Sequence, residues 1–154
     1  MFREMRRQDR KMTDSEAMEL LIKGEYGVLS IIGQDQYAYG VPLSYAYVDG
    51  AIYFHCANEG QKLDNIKGNN KVSFCVVGDT RVIPEKFTTN FESVIVFGKA
   101  QISLDDEKRK GLLALVEKYS PDFIEKGTAY MNSDINKTTV FKIDIDHISG
   151  KTRK

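Results

Sequence analysis

Apolar residues recur along this chain with two different periods, and the change from one to the other marks out its elements. Near the start, Thr13-Asp14-Ser15-Glu16 has the spacing of a capping box, in which two helix-start N–H groups find side-chain acceptors. Ala17, Leu20 and Leu21 then fall on one face and Gly24 stands where a helix stops, so a short amphipathic helix is predicted. From Tyr26 the period shortens. Residues 26–32, 37–48, 51–56, 72–77, 93–103 and 138–145 are rich in Val, Ile, Tyr and Phe, whose branched or flat side chains suit a pleated surface. Asp49-Gly50 between two of these runs is a tight-hairpin signal, because both residues tolerate the positive φ such a turn needs. Residues 33–36 and 78–80 read as two further turns. A second helix is predicted over 59–68, capped by Asn58 with Gln61 reaching back, and with Leu63 and Ile66 facing inward. A longer one opens at Asp105-Asp106-Glu107, carries Leu112, Leu113, Leu115, Val116 and Tyr119, and ends at Ser120-Pro121. Strands that follow one another through hairpins imply an antiparallel sheet closing into a small barrel, decorated by two or three helices.

Composition narrows the classes of function. The chain has 154 residues, one ordinary domain with room for a real core, and no linker or repeat divides it. Lys plus Arg and Asp plus Glu number 22 each, a formal net charge of zero. Nucleic acid and anionic membrane surfaces are held by a basic excess, so neither is an expected partner. No apolar run approaches the roughly 20 residues that cross a bilayer. The charged N-terminus lacks the apolar centre of a secretory signal, and Cys56 and Cys75 both lie inside apolar runs. A reducing, cytoplasmic setting is therefore expected. Residues 1–12, with Arg6 and Arg7, read as a charged arm, and 147–154, with Lys151 and Arg153, as a tail. Such termini are solvated by default, or else bind anionic groups at a neighbouring subunit.

Several familiar chemistries are missing. No Gly-x-Gly-x-x-Gly follows a strand, and no Gly-x-x-x-x-Gly-Lys-Ser/Thr, His-Glu-x-x-His, Cys-x-x-Cys or Gly-x-Ser-x-Gly is present. His55 and His147 are the only histidines, too few for an ordinary zinc site. Side chains alone are thus poorly equipped for hard chemistry. Either a cofactor supplies it or the chain is a binding module.

Four stretches carry what polar chemistry there is. In residues 53–66 a strand runs into a helix start with Gly60 and Lys62 in its first turn. Free N–H groups, the positive end of the helix dipole and an ammonium make a seat for a phosphate group, unless this is simply a surface helix with a solvated lysine. In Tyr39-Gly40-Val41-Pro42-Leu43-Ser44-Tyr45 the proline removes a ladder donor and belongs at a sheet edge or bulge. Unpaired backbone groups there could bond the rim of a planar heterocycle with Leu43 packing on its face, or the segment is an ordinary protected edge. His55 shares a strand face with Tyr53, opposite Phe54 and Cys56, and is either a structural residue or a proton donor and acceptor with a pKa of about 6.5. The cysteines read as small core residues. Residues 86–93 mix hydroxyls, an amide, a carboxylate and two aromatics, as a ligand-facing or a self-bonded surface loop would.

Taken in order, these segments resemble the FMN-binding split-barrel superfamily related to pyridoxamine 5′-phosphate oxidase, and within it the nitroimidazole-resistance group. The resemblance rests on Met5-Arg6-Arg7-Gln8-Asp9-Arg10, Gly24-Glu25-Tyr26-Gly27-Val28-Leu29-Ser30, Tyr39 to Tyr45, Tyr53-Phe54-His55-Cys56-Ala57 with Glu59-Gly60-x-Lys62, Glu85 to Ser93, and His147-Ile148-Ser149-Gly150-Lys151-x-Arg153. It implies a six-stranded antiparallel split β-barrel that works as a homodimer, with FMN at the subunit interface. It further implies that Val41, Pro42, Leu43, Ser44 and Tyr45 line the isoalloxazine ring, that His55, Cys56 and Ala57 lie along ring and ribityl chain, and that Lys62 and Asn65 meet the phosphate. Thr88, Glu92 and Ser93 would approach the same pocket, with Lys151 or Arg153 from the partner, and His55 is the candidate catalytic residue. The implied activity is reduction of a small acceptor such as a nitroaromatic by NAD(P)H through FMN. A non-catalytic flavin- or haem-binding barrel, with His55 as axial ligand, is the alternative. A barrel binding single-stranded nucleic acid through its aromatics is a third reading, disfavoured by the zero net charge.

Overall fold

Thr13 caps the first helix as its spacing demands. In the computed structural model, which describes residues 1–154, Glu16 N donates to the Thr13 hydroxyl at 3.2 Å and Thr13 N donates to the Glu16 carboxylate at 2.8 Å. Helix α1 (Asp14–Lys23) buries Ala17, Leu20 and Leu21 and packs on the sheet. That sheet has seven strands: β1 (Gly27–Ile32), β2 (Ala38–Leu43), β3 (Ala46–Val48), β4 (Ala51–Ala57), β5 (Lys71–Ile83), β6 (Thr88–Ser103) and β7 (Thr138–Arg153). All pairings are antiparallel, in the order β2-β1-β5-β6-β7-β4-β3. Although β1 and β4 stand four places apart in that order, Leu29 and Ile31 share one core with Ile52 and Phe54. The sheet is therefore rolled around a common core while its edge strands, β2 and β3, stay unpaired with each other. This is a split barrel.

The count is seven strands rather than six because the run 37–48 breaks at Ser44-Tyr45: β2 pairs with β1, whereas β3 pairs with β4. Pro42 lies on β2, an edge strand, where its missing N–H costs no ladder bond. Asp49 (φ 48°) and Gly50 (φ 84°) form the tight turn between β3 and β4. The expected turn at 78–80 is instead a bulge inside β5, where the register with β6 shifts between Val77 and Thr80 and Asp79 N donates to Glu92 Oε1 at 3.1 Å. The chain reverses further on, at Pro84–Lys86, so most of the expected loop 86–93 is strand. Likewise 147–153 is no frayed tail. It extends β7, with Ser93 opposite Lys151 and Glu92 opposite Thr152. The arm is held too: Met12 N donates to Gly150 O at 2.9 Å, and Phe2 stacks on Phe97 and His147.

Helix α2 (Gln61–Gly68) starts at Gly60 and not at Asn58. The Asn58 amide is committed elsewhere, donating to Asn136 O at 2.9 Å and accepting from the Thr139 hydroxyl at 2.8 Å. Helix α3 (Asp105–Tyr119) matches its periodicity and packs against β3 and β4. It is followed by α4 (Ile124–Asp134), a helix whose apolar pattern is too weak to announce it: only Met131 is buried. There are thus four α-helices rather than two or three.

Candidate functional site

Strand β4 delivers the chemistry to two sides. By its alternation Phe54 sits in the barrel core with Cys56 packed against it, while Tyr53 joins Leu112 and Met131 on the opposite side and His55 follows it there. The expected opposition of His55 and Cys56 is therefore observed, and it divides the residues expected along one ligand.

On the Cys56 side lies the start of α2. Gly60 has φ 139°, a conformation that L side chains rarely adopt, and a Cβ there would meet nothing within 4 Å. No side chain caps the helix, and Asp64 N donating to Gly60 O at 3.2 Å is the first backbone bond of the turn. Lys62 is half-buried beside Cys56: burial pushes the thiol pKa up and the neighbouring ammonium pulls part of it back. One turn on, Asn65 is only 5% exposed and its Nδ2 has no hydrogen-bond partner. A buried amide donor without an acceptor costs about 1–3 kcal/mol. An exposed helix start, a cation and an orphaned donor are the donor set an anion needs.

The segment 41–45 spans the end of β2 and the corner into β3. Val41 and Leu43 pack inward on the core, and Pro42 and Ser44 are exposed on the free edge of β2. Tyr45 is wholly buried. Its hydroxyl donates to Leu21 O, its ring meets Phe74 edge-on at 4.8 Å, and burial drives its pKa up. Both of its backbone groups are taken by α3: Tyr45 N donates to Tyr119 Oη at 3.1 Å and Lys118 Nζ donates to Tyr45 O at 2.9 Å. Tyr45 thus meets the protein itself through side chain and backbone alike. Burial lowers the Lys118 pKa to about 8. Nothing in the spacing of Lys118 and Tyr119 sets them apart from other residues at a helix end, so the sequence carried no signal for this clamp.

On the His55 side, residues of β4, α3 and α4 line an open cavity of about 380 Å³. Ser44, His55, Tyr119 and Asp134 bring polar groups to it, and Leu112 and Met131 contribute apolar wall. Partial desolvation beside these helices lowers the His55 imidazole pKa, although its side chain stays exposed at the cavity mouth.

The remaining expected residues gather elsewhere. Thr88, Glu92 and Ser93 lie on β6, with Lys151 and Arg153 on the facing stretch of β7. Ser93 and Lys151 open onto a hollow of about 860 Å³ beneath the N-terminal arm, larger than the His55 cavity and lined also by Arg3, Lys11 and His147. Along β7, His55 pairs with Val140 and Ser93 with Lys151, eleven residues apart (151 − 140), or roughly 36 Å of extended strand. Within one chain, then, Cys56, Lys62 and Asn65 are neighbours, Ser44 and His55 share a cavity, and Thr88, Glu92, Ser93, Lys151 and Arg153 form a third, distant group.

Comparison with known proteins bears on this geometry. A family model described as pyridoxamine 5′-phosphate oxidase matches residues 13–152. No curated protein matches the sequence. Among solved structures, the chain is similar to a candidate 5-nitroimidazole antibiotic resistance protein from Bacteroides thetaiotaomicron, with TM-score 0.76 and 19% identity over 92% of this chain and 86% of the other. It is also similar to an FAD-binding protein from Mesorhizobium loti, with TM-score 0.68 and 24% identity over 94% of this chain and 98% of that one. A third likeness is to an FAD- and haem-binding protein from Mycobacterium smegmatis, with TM-score 0.79 and 18% identity over 94% and 74% of the two chains. At these identities the likeness is one of fold.

Proposed function

Because the chain belongs to the pyridoxamine 5′-phosphate oxidase family, we propose that it is an FMN-dependent reductase, drawing on NAD(P)H to reduce a small acceptor such as a nitroaromatic. The observation that carries this reading is the start of α2, where Lys62 and uncapped N–H groups lie one turn from the unpartnered, buried Asn65 amide. These residues fit a terminal monophosphate, and Gly60 leaves the backbone open to its approach. A bound flavin would supply hydride and electron transfer, which none of the side chains can do alone. The chain's own part is to anchor and to orient. Lys62 and Asn65 hold the phosphate, Cys56 and Ala57 border the ribityl chain, and the exposed edge Val41-Pro42-Leu43-Ser44 lines the ring. His55 stands behind β4 with an imidazole able to hold or pass a proton. The binding of FAD by the M. loti and M. smegmatis structures supports a flavin. One lysine and one amide suit FMN, whose arm ends in a single phosphate.

A homodimer belongs to the same reading. Ile95 and Phe97 remain 41% and 39% exposed on the outer face of β6, and Phe87 at the hairpin tip is 97% exposed, an apolar surface that a second copy would cover. A second copy would also bring its Thr88, Glu92, Ser93, Lys151 and Arg153 to a site they do not reach within one chain. No helix is long and apolar enough to cross a membrane. The experiment is anaerobic. NADH or NADPH added to flavin-loaded protein should bleach the flavin absorbance, and a nitroaromatic should restore it. Bleaching without restoration removes the nitroreductase activity, and a haem Soret band in place of flavin absorbance would favour the haem-binding alternative.

A further inference from the structure

The two sides of β4 carry opposite electrostatics. On the Cys56 side a helix begins, with a lysine in its first turn. On the His55 side α3 ends at Tyr119 and Ser120, and Asp134 closes the last α-turn of α4 before a 3-10 turn over Ile135–Lys137; all three residues border the cavity. Helix C-termini carry partial negative charge and favour cations. The Asp134 carboxylate takes part in no ion pair, and no Lys or Arg lines the cavity. Lys118, Lys126 and Lys137 each stand one position from a lining residue, but none of them lines the cavity, and Lys118 is committed to Tyr45, with Nζ 2.9 Å from its carbonyl and 3.7 Å from the centre of its ring. An anion entering this space would lose its hydration beside a carboxylate and helix ends, with no Lys or Arg in the lining to compensate it. The walls supply Leu112, Leu115, Val116 and Met131 for a flat apolar body. A volume of about 380 Å³ is at the small end of ligand sites and suits one or two rings rather than a nucleotide.

We propose that this cavity is a binding site for a cationic or neutral aromatic ring, with Asp134 and His55 as its polar partners, and that it rejects carboxylates and phosphates. Site and selectivity stand on the cavity's own lining. Only the further step, that the ring bound there is the electron acceptor, rests on the flavin reading, and Ser44 links the two because it both borders the cavity and ends the exposed edge of residues 41–44. On that reading the acceptors are uncharged or cationic heteroaromatics, and a phosphorylated substrate such as pyridoxamine 5′-phosphate is excluded.

An isosteric charge series tests this. Benzamidine, benzamide and benzoate share one ring and differ in charge. The chain has only two histidines, His55 at the cavity and His147 stacked against Phe2 on the far face, so the imidazole NMR signals report the location of binding directly. Benzamidine and benzamide titrated into the full chain at pH 7.5 should move the His55 signals and leave those of His147 in place. Benzamidine should bind roughly tenfold or more tighter than benzoate, a difference of about 1.4 kcal/mol. Asp134→Asn should weaken benzamidine several-fold and leave benzamide unchanged, which also shows that the cavity has kept its shape. Benzoate binding as tightly as benzamidine, shifts confined to His147, or no shift at His55 with any probe would each overturn the proposal. The flavin reading fails separately: protein that takes up no FMN yet shows the charge order keeps this site and loses only the link to electron transfer.

Discussion

Lys118 Nζ donates to the Tyr45 carbonyl at 2.9 Å and lies 3.7 Å from the centre of the same tyrosine's ring. Helix α3 thereby pins the corner where the chain leaves β2 for β3. Burial holds the folded-state pKa at about 8, below the ordinary lysine value of 10.5. Between those values the unfolded chain binds more protons than the folded one, so this residue's contribution to stability rises with pH from about 8 to about 10.5 and is flat below 8. The difference in melting temperature between wild type and Lys118→Met, followed from pH 7 to pH 10.5, should move in favour of the wild type across that window. A constant difference would contradict it. Because the ammonium is only partly buried, the change should be modest.

Lys62→Ala removes one charge-assisted contact from the start of α2. Such contacts contribute about 1.5–3 kcal/mol, so FMN should bind roughly ten- to hundredfold more weakly. Fluorescence titration of stripped protein measures this, and unchanged affinity would remove Lys62 from the phosphate site.

Asn65→Leu separates stability from binding. In the ligand-free chain it replaces a buried amide whose Nδ2 lacks a partner with an apolar group of similar volume. Denaturant unfolding should show apoprotein stabilised by about 1 kcal/mol, while FMN affinity falls. A destabilised apoprotein would mean that the amide is satisfied in solution without a ligand.

Gly60→Ala tests the backbone alone. The added methyl meets no neighbour within 4 Å, so the cost comes from φ 139°. A loss of about 1–3 kcal/mol in unfolding free energy is expected, and a neutral substitution would show that the helix start relaxes readily.

The sequence disclosed what is local. The Thr13–Glu16 box, the Asp49-Gly50 turn and the alternation that sets His55 against Cys56 each depend on residues within a few positions of one another, and each is found. Features that depend on register with a distant strand were not legible. Ser149 to Arg153 have no strand-like alternation of their own and become strand because β6 offers them a ladder, and Glu92 turns an expected turn at 78–80 into a bulge by bonding Asp79 N. Asn58 is an ideal cap by residue type, yet Asn136 and Thr139 claim its amide from 78 and 81 positions away. The candidate site followed the same rule. Lys62 and Asn65, one turn apart, come together, whereas Lys151 and Arg153 do not reach them within one chain, and the Lys118–Tyr119 clamp gave no sign in the sequence.

The central claim is that the start of α2 holds the phosphate of a flavin. The most direct measurement is the visible absorption spectrum of protein purified from cells, followed by titration of any colourless fraction with FMN. Flavin bands in the purified protein, or saturable uptake of added FMN by the colourless fraction, with weakened uptake in Lys62→Ala, are predicted. A colourless protein that takes up no FMN would contradict the claim.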